Sequence, residues 1–167
     1  GLFKTALAII NLVVMPITPF ITTTYPEITQ SVATRQWLRL KNLLRRVTML
    51  SGGWTIAVAV GLIFFGRQLL FNPVTILGRT FSVYSSDFLP AFPILLILLV
   101  GFGFANTFFW NRPLLLAFNK ADYALWAAFL GMVGKITLAV ILLPGAGYLT
   151  EAWLLSGYFI ITVGAMT

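Results

Sequence analysis

The chain has 167 residues, of which 59% are hydrophobic and only 9% charged, and its net charge is +7. Because a soluble domain is about one quarter charged, this composition predicts an integral membrane protein. The chain has no cysteine and no histidine, which excludes disulfides and removes the preferred ligands and general base of most catalytic and metal sites. We therefore expect no enzyme, no metal and no cofactor. We also expect no nucleic-acid partner, since no soluble basic domain carries the positive charge.

Five apolar segments are predicted to cross the membrane, because about 20 apolar residues span the hydrocarbon core. These segments cover residues 2–25, 47–71, 89–110, 123–143 and 150–167. Pro16 and Pro19 interrupt the first segment, and they indicate either a simple kink or the hinge of an alternating-access transporter. The fold class is all-α: residues 1–167 form one polytopic helix bundle. Apolar runs at both ends favour a piece of a longer transporter.

A basic segment over residues 31–47 differs in kind from the spans. Its basic residues are Arg35, Arg39, Lys41, Arg45 and Arg46. Ala33, Trp37, Leu40, Leu44 and Val47 fall together on the opposite, apolar side. The pattern predicts an amphipathic helix in the membrane interface, with its cations towards the lipid headgroups. The positive-inside tendency makes loop 26–46 cytoplasmic. The segment is either a topology anchor on anionic lipids or a docking surface for a partner or a lipid-linked headgroup.

Lys135 is the charged residue inside the fourth predicted span. At about 100° per residue, small residues stack with it on one helix face. Those residues are Ala121, Ala124, Ala128, Gly131 and Ala139, and the opposite face carries Trp126, Phe129, Leu130, Val133 and Val140. Small residues allow helices to approach one another, so Lys135 is predicted to face protein or a hydrated cavity. A cation at this depth costs roughly 2.5–3.5 kcal/mol and marks a functional site.

Four further polar residues in the spans are weaker cavity candidates. Arg67 and Lys4 are cations near span ends, and snorkelling to the interface is the structural alternative for Arg67. Asn11 and Asn106 can contact cargo, but hydrogen bonds between helices explain intramembrane asparagines more simply. The structural alternative for Lys135 itself is a pair with a carboxylate elsewhere in the protein.

Three stretches together resemble the C-terminal half of bacterial polysaccharide (O-antigen-type) flippases of the multidrug/oligosaccharidyl-lipid/polysaccharide exporter superfamily. The stretches are "PFITTTYPEITQSVATR", "FFWNRPLLLAFNKADYALWAAFLG" and "LLPGAGYLTEAWLLSGYFIITVGAMT". The resemblance is one of helix and loop order, and "TEAW" departs from it where the family has a glycine–alanine pair. It implies a partial MATE-like transporter fold.

The resemblance also implies a function and a set of partners. Such proteins move polyprenyl-pyrophosphate-linked oligosaccharides to the outer leaflet for surface polysaccharide biosynthesis, and their cavities are cationic. The implied partners are the lipid-linked oligosaccharide, membrane lipids, the remainder of the same chain and polysaccharide-assembly proteins. The implied location is the bacterial inner membrane. Lys135 would then contact the pyrophosphate.

Three alternatives stay open at this point. A multidrug or lipid II exporter of the same superfamily would share the fold. A membrane-embedded glycan polymerase or glycosyltransferase would need a catalytic acid, for which Asp87 and Glu151 are the nominees. A scaffold subunit would make Lys135 structural.

Overall fold

The computed structural model describes residues 1–66, 68, 74–76, 79–81, 89–142 and 147–167, with the backbone alone described at 74–76 and 79–81. Seven α-helices occur in these ranges. They are α1 (Leu2–Val14), α2 (Thr18–Ala33), α3 (Trp37–Gly61), α4 (Ala91–Thr107), α5 (Asn111–Ala117), α6 (Ala121–Leu142) and α7 (Tyr148–Ala165). The architecture is an all-α bundle, as predicted.

The segment predicted to be a loop before the third span contains a short hairpin. Strands β1 (Val74–Ile76) and β2 (Arg79–Phe81) pair antiparallel. A five-residue π-helical turn, Leu62–Gly66, extends α3 before them.

Four continuous helical stretches are long and apolar enough to cross a membrane. They are Leu2–Ala33, Trp37–Gly66, Ala91–Ala117 and Ala121–Leu142. The fifth predicted span forms the 18-residue helix α7 but is not among these four. The chain is therefore a membrane protein by the length and composition of its helices.

The prolines of the first span bend the helix without ending it. A 3₁₀ turn, Met15–Ile17, joins α1 to α2. The indole of Trp54 on α3 donates a 3.1 Å hydrogen bond to the carbonyl of Val13, one turn before the prolines. This bond joins α3 to α1, but the carbonyls that lose their usual donors at Pro16 and Pro19 are those of Leu12 and Met15. The helix then continues through Pro26 to Ala33, beyond the predicted end at residue 25.

The separate interfacial helix predicted over residues 31–47 is wrong in its bounds. Residue Arg35 has a φ of 53°, and the N–H of Gln36 donates to the carbonyl of Ser31 at 2.9 Å while that of Arg35 donates to Val32 at 3.1 Å. This pair of bonds is a Schellman C-cap, so α2 ends there. The basic residues after it belong to the first turns of the spanning helix α3.

The predicted amphipathic pattern of this segment holds only in part, because Ala33 and Trp37 of the predicted apolar side are exposed and Arg35 precedes α3. Leu40 and Val47 are buried, whereas Arg35, Arg39, Lys41, Arg45 and Arg46 are all exposed.

A second turn of the same kind separates α5 from α6. Asn119 has a φ of 58°, and the N–H of Lys120 donates to Leu115 at 2.9 Å while that of Asn119 donates to Leu116 at 3.0 Å. Pro113 lies in the first turn of α5, where no intrahelical N–H is needed. The stretch after the third span is therefore a short helix rather than a plain break.

Helix α4 is the centre of the bundle and packs against α7, α1 and α3. Its Ile94, Leu95 and Leu98 are fully buried. A Cβ at Gly101 would clash with the backbone of Ser156 on α7, and one at Gly103 would lie 2.7 Å from Thr55 Cγ2 on α3. Because lipid tails are as apolar as leucine, close packing of this kind, rather than apolar burial, holds membrane helices together.

The helices alternate in direction, and the two basic connections lie at the same end. Trp110, after α4, donates to Thr48 of α3 at 2.8 Å, whereas Asn106, earlier in the chain, donates to Thr55, later in α3, at 3.3 Å, so α3 and α4 are antiparallel. The rings of Trp37 and Phe118 stack with centroids 6.0 Å apart, which brings the Arg35–Arg46 segment beside the connection carrying Arg112 and Lys120. The two basic connections therefore share one end of the bundle.

The conformation of Asn119 generates a stability prediction. A β-branched residue in the left-handed region costs about 1–2 kcal/mol, whereas glycine adopts it freely. We expect Asn119→Val to lower the apparent melting temperature in detergent and Asn119→Gly to leave it unchanged or raised. Equal melting of the two variants would contradict the assigned turn.

Candidate functional site

Lys135 lies on α6, about 5 Å past the midpoint of this 22-residue helix. Its side chain is half-buried and lines a groove of about 350 Å³ between α6 and α7. Small, aromatic and aliphatic residues wall the groove. Among them are Gly131, Gly134, Trp153, Leu154, Gly157 and Tyr158. The side chain of Lys135 thus lies in a surface groove between two helices, and several of the groove's apolar walls are themselves exposed, among them Leu130, Trp153 and Ile161.

Helix α6 turns most of its small residues towards the bundle and its bulky residues away from it. Ala124 is buried, and Ala128, Gly131 and Ala139 are half-buried. The bulky residues point outward and are exposed: Trp126, Phe129, Leu130, Val133 and Val140. The burial pattern follows the predicted facing of the helix only in part, because Ala121 is exposed and Leu130, predicted on the opposite face, lines the groove together with Lys135.

The contact between Gly131 and Thr162 sets the separation of α6 and α7. A Cβ at Gly131 would clash with Cγ2 of Thr162 and lie 3.3 Å from the ring of Tyr158. The hydroxyl of Thr162 is held in place because it donates to the carbonyl of Tyr158 at 2.6 Å. Nearer the basic end, the hydroxyl of Tyr123 donates to the carbonyl of Ala165 at 2.8 Å. Glycine at 131 therefore permits a close crossing one helical turn from Lys135.

The charge of Lys135 is not neutralised within the described part of the chain. Its ammonium makes no hydrogen bond or ion pair with any described residue. Neither Asp122, in the first turn of α6, nor Glu151, in the first turn of α7, pairs with it. An unpaired ammonium at this depth has to be reached by water or by an anion.

The other predicted cavity residues do not join Lys135 in the groove. Asn106 is buried between α4 and α3, where its amide donates to Thr55 Oγ1 at 3.3 Å. Lys4 and Asn11 are exposed on α1, which packs on α4. Arg67 lies outside the described residues. Of the four candidates that lie in the described ranges, Lys135 is the one that lines the α6–α7 groove.

Several residues of α7 that sequence reasoning did not single out complete the site. Trp153 and Tyr158 wall the groove opposite Lys135. Ser156, on α7, donates to the carbonyl of Ile97 on α4 at 2.7 Å, and this bond holds α7 against α4. The signal that could have found them is the run of small residues, Ser156 and Gly157, in an otherwise bulky helix.

Comparison with family models, with curated proteins and with solved structures finds no match to this chain.

The crossing at Gly131 can be tested by a compensating pair of changes. Gly131→Ala overpacks the contact and should destabilise the protein by about 1–3 kcal/mol. Adding Thr162→Ser removes the clashing methyl group, keeps the hydroxyl, and should restore the melting temperature. Gly134→Ala is the matched control, because a Cβ there meets nothing within 4 Å. If Gly131→Ala melts like Gly134→Ala, the two helices do not cross at this residue.

Proposed function

We propose that this chain is part of a transporter that flips polyprenyl-pyrophosphate-linked oligosaccharide to the outer leaflet. The observation that carries the proposal is the ammonium group of Lys135, which lines the α6–α7 groove without a described anionic partner. A cargo with a phosphate group at membrane depth supplies the missing negative charge.

The energetics favour an anionic cargo at this position. Two unit charges 4 Å apart attract by about 4 kcal/mol at an effective dielectric constant of about 20, before desolvation costs. Because Lys135 is half-buried, its ammonium has already lost part of its hydration before the cargo arrives. The groove also lacks a carboxylate among its described lining residues, which favours an anionic cargo over the organic cations of multidrug exporters.

The remaining parts of the proposal concern the setting of the site. We place the four long helical stretches, and α7 as a fifth span, across the bacterial inner membrane, with the basic connections in the cytoplasm, as loop charge favours. We assign the bundle to the C-terminal half of a MATE-like exporter on the resemblance of its loops and helix order. The groove would then be one wall of a cavity completed by the rest of the protein.

Substitution of Lys135 tests the proposal most simply. Loss of one charge-assisted contact of about 1.5–3 kcal/mol predicts transport about 10–100-fold slower in Lys135→Gln. Lys135→Arg should retain part of the activity because it keeps the charge. The measurement is complementation of a flippase-deficient strain by the complete gene, scored as surface polysaccharide and normalised to protein abundance in the membrane.

Thr137→Ala is the matched control for that experiment. Thr137 lies half a turn from Lys135 on the exposed side of α6, and its hydroxyl donates only to the carbonyl of Val133 at 2.9 Å. Normal surface polysaccharide from Lys135→Gln at normal abundance would refute the proposed role.

A further inference from the structure

A second groove, of about 480 Å³, lies where α2 faces the first turns of α3 at the basic end of the bundle. Arg39, Arg45 and Arg46 line it together with Asn42. Glu27 of α2 also lines it and is the carboxylate among its described lining residues. Cationic groups therefore outnumber anionic groups three to one within this concave surface.

The arginines of the groove have hydrogen-bond donors to spare. Arg45 and Arg46 make no hydrogen bond or ion pair with any residue in the described ranges, and Arg39 makes a single long bond of 3.4 Å to Gln36 Oε1. The planar fork of a guanidinium matches two oxygens of a phosphate group. Three exposed forks around one groove are therefore suited to a phosphate ester.

An apolar stripe continues from the groove along the same face of α3. Arg39, Asn42 and Arg46 follow one another at three- and four-residue intervals, which places them on one helix face. The same spacing continues through Met49, Gly53, Ile56, Val60 and Ile63. These hydrophobic side chains are about half exposed or more, at 61% for Met49, 65% for Ile56 and 58% for Ile63. The face is thus cationic at one end and apolar along the rest, which is complementary to a lipid with an anionic headgroup.

We infer that this face is a binding site for a lipid phosphate, whose headgroup occupies the arginine groove and whose hydrocarbon chain lies along Met49–Ile63. The inference stands on α2 and α3 alone and does not depend on the role of Lys135. An ordinary anionic phospholipid and a polyprenyl phosphate carry the same recognised chemistry.

The continuity of α3 makes this placement physically consistent. The groove residues occupy the first three turns of a helix whose later turns are apolar enough to cross the membrane. The arginines therefore lie at headgroup level when the apolar stripe lies among acyl chains. A site of this kind differs from diffuse surface charge because three arginines line one concave groove and an exposed apolar surface continues from it along the same helix.

The test is a lipid titration of the purified protein in detergent, followed by native mass spectrometry. The probes are phosphatidylglycerol, a long-chain prenyl phosphate and inorganic phosphate. The combined variant Arg39→Gln, Arg45→Gln, Arg46→Gln should weaken lipid binding about tenfold or more, since it removes three charge-assisted contacts. The matched control, Lys41→Gln with Arg112→Gln and Lys120→Gln, also removes three exposed cations at the same end of the bundle, but outside the groove, and should leave binding unchanged.

A variant that strengthens binding guards against misfolding of the triple mutant. Glu27→Gln removes the negative charge of the groove from an exposed position and should tighten lipid binding about threefold. Unfolding would not produce such a gain. Added salt should weaken binding to the wild-type protein, because the arginines are exposed.

The outcomes separate the possibilities clearly. Equal loss of binding in the groove and control variants, or no gain in Glu27→Gln, would overturn the inference in favour of diffuse surface charge. Binding of inorganic phosphate as tight as that of the lipids would overturn the part played by the apolar stripe. Within the expected result, preference for the prenyl phosphate assigns the groove to a lipid-linked cargo. Equal or weaker binding of that probe assigns it to bulk phospholipid.

Discussion

An ammonium group within a membrane span has to keep contact with water or with an anion. This requirement constrains how α6 and α7 pack against each other. Lys135 has no anionic partner among the described residues, so its surroundings have to supply a polar route. The size distribution of α6 meets this requirement, since small residues surround the lysine and bulky ones face outward. The crossing at Gly131 then brings α7 close enough to form a groove around the charge.

The rest of the bundle supports that groove through close contacts. Helix α4 sits behind α7, and the glycine at 101 allows the backbone of Ser156 to approach it. Interhelical hydrogen bonds reinforce these crossings, including those of Ser156 to Ile97 and of Asn106 to Thr55. Such contacts are effective in a membrane because hydrocarbon offers polar groups no competing partner. The outer surfaces of α3 and α6 remain apolar and exposed, as a lipid-facing exterior requires.

Much of this arrangement could be predicted from residue patterns. The existence of the helices, the kink near Pro16 and the protein-facing side of α6 all follow from apolar length, proline position and residue size. The ends of α2 and α5 could not be predicted, because arginine and asparagine stand where a Schellman cap usually has glycine. Because this end of α2 is not visible in the residue pattern, the pattern predicts a separate basic helix over residues 31–47, whereas most of this segment forms the first turns of α3.

The composition of the candidate site was the least predictable feature. Lys4, Asn11 and Asn106 are polar residues in spans, but their shared polarity says nothing about which helices become neighbours. Asn106 faces α3 because Thr55 accepts its hydrogen bond there, whereas α1, which carries Lys4 and Asn11, packs on α4 and α6 packs on α7. Neighbour relations between helices depend on shape at each crossing, and a single sequence does not encode them in any simple period.

The central claim, that water reaches the face of α6 that carries Lys135, can be measured by thiol labelling because the chain has no native cysteine. A charged, water-soluble thiol reagent reacts with a thiolate, which forms only where water is present. Lys135→Cys and Val133→Cys lie at similar depth on opposite faces of α6, and Val133 is on the outward face. The account predicts rapid labelling at position 135 and little at position 133 in intact membranes. Equal protection of both positions, or faster labelling at 133, would contradict it.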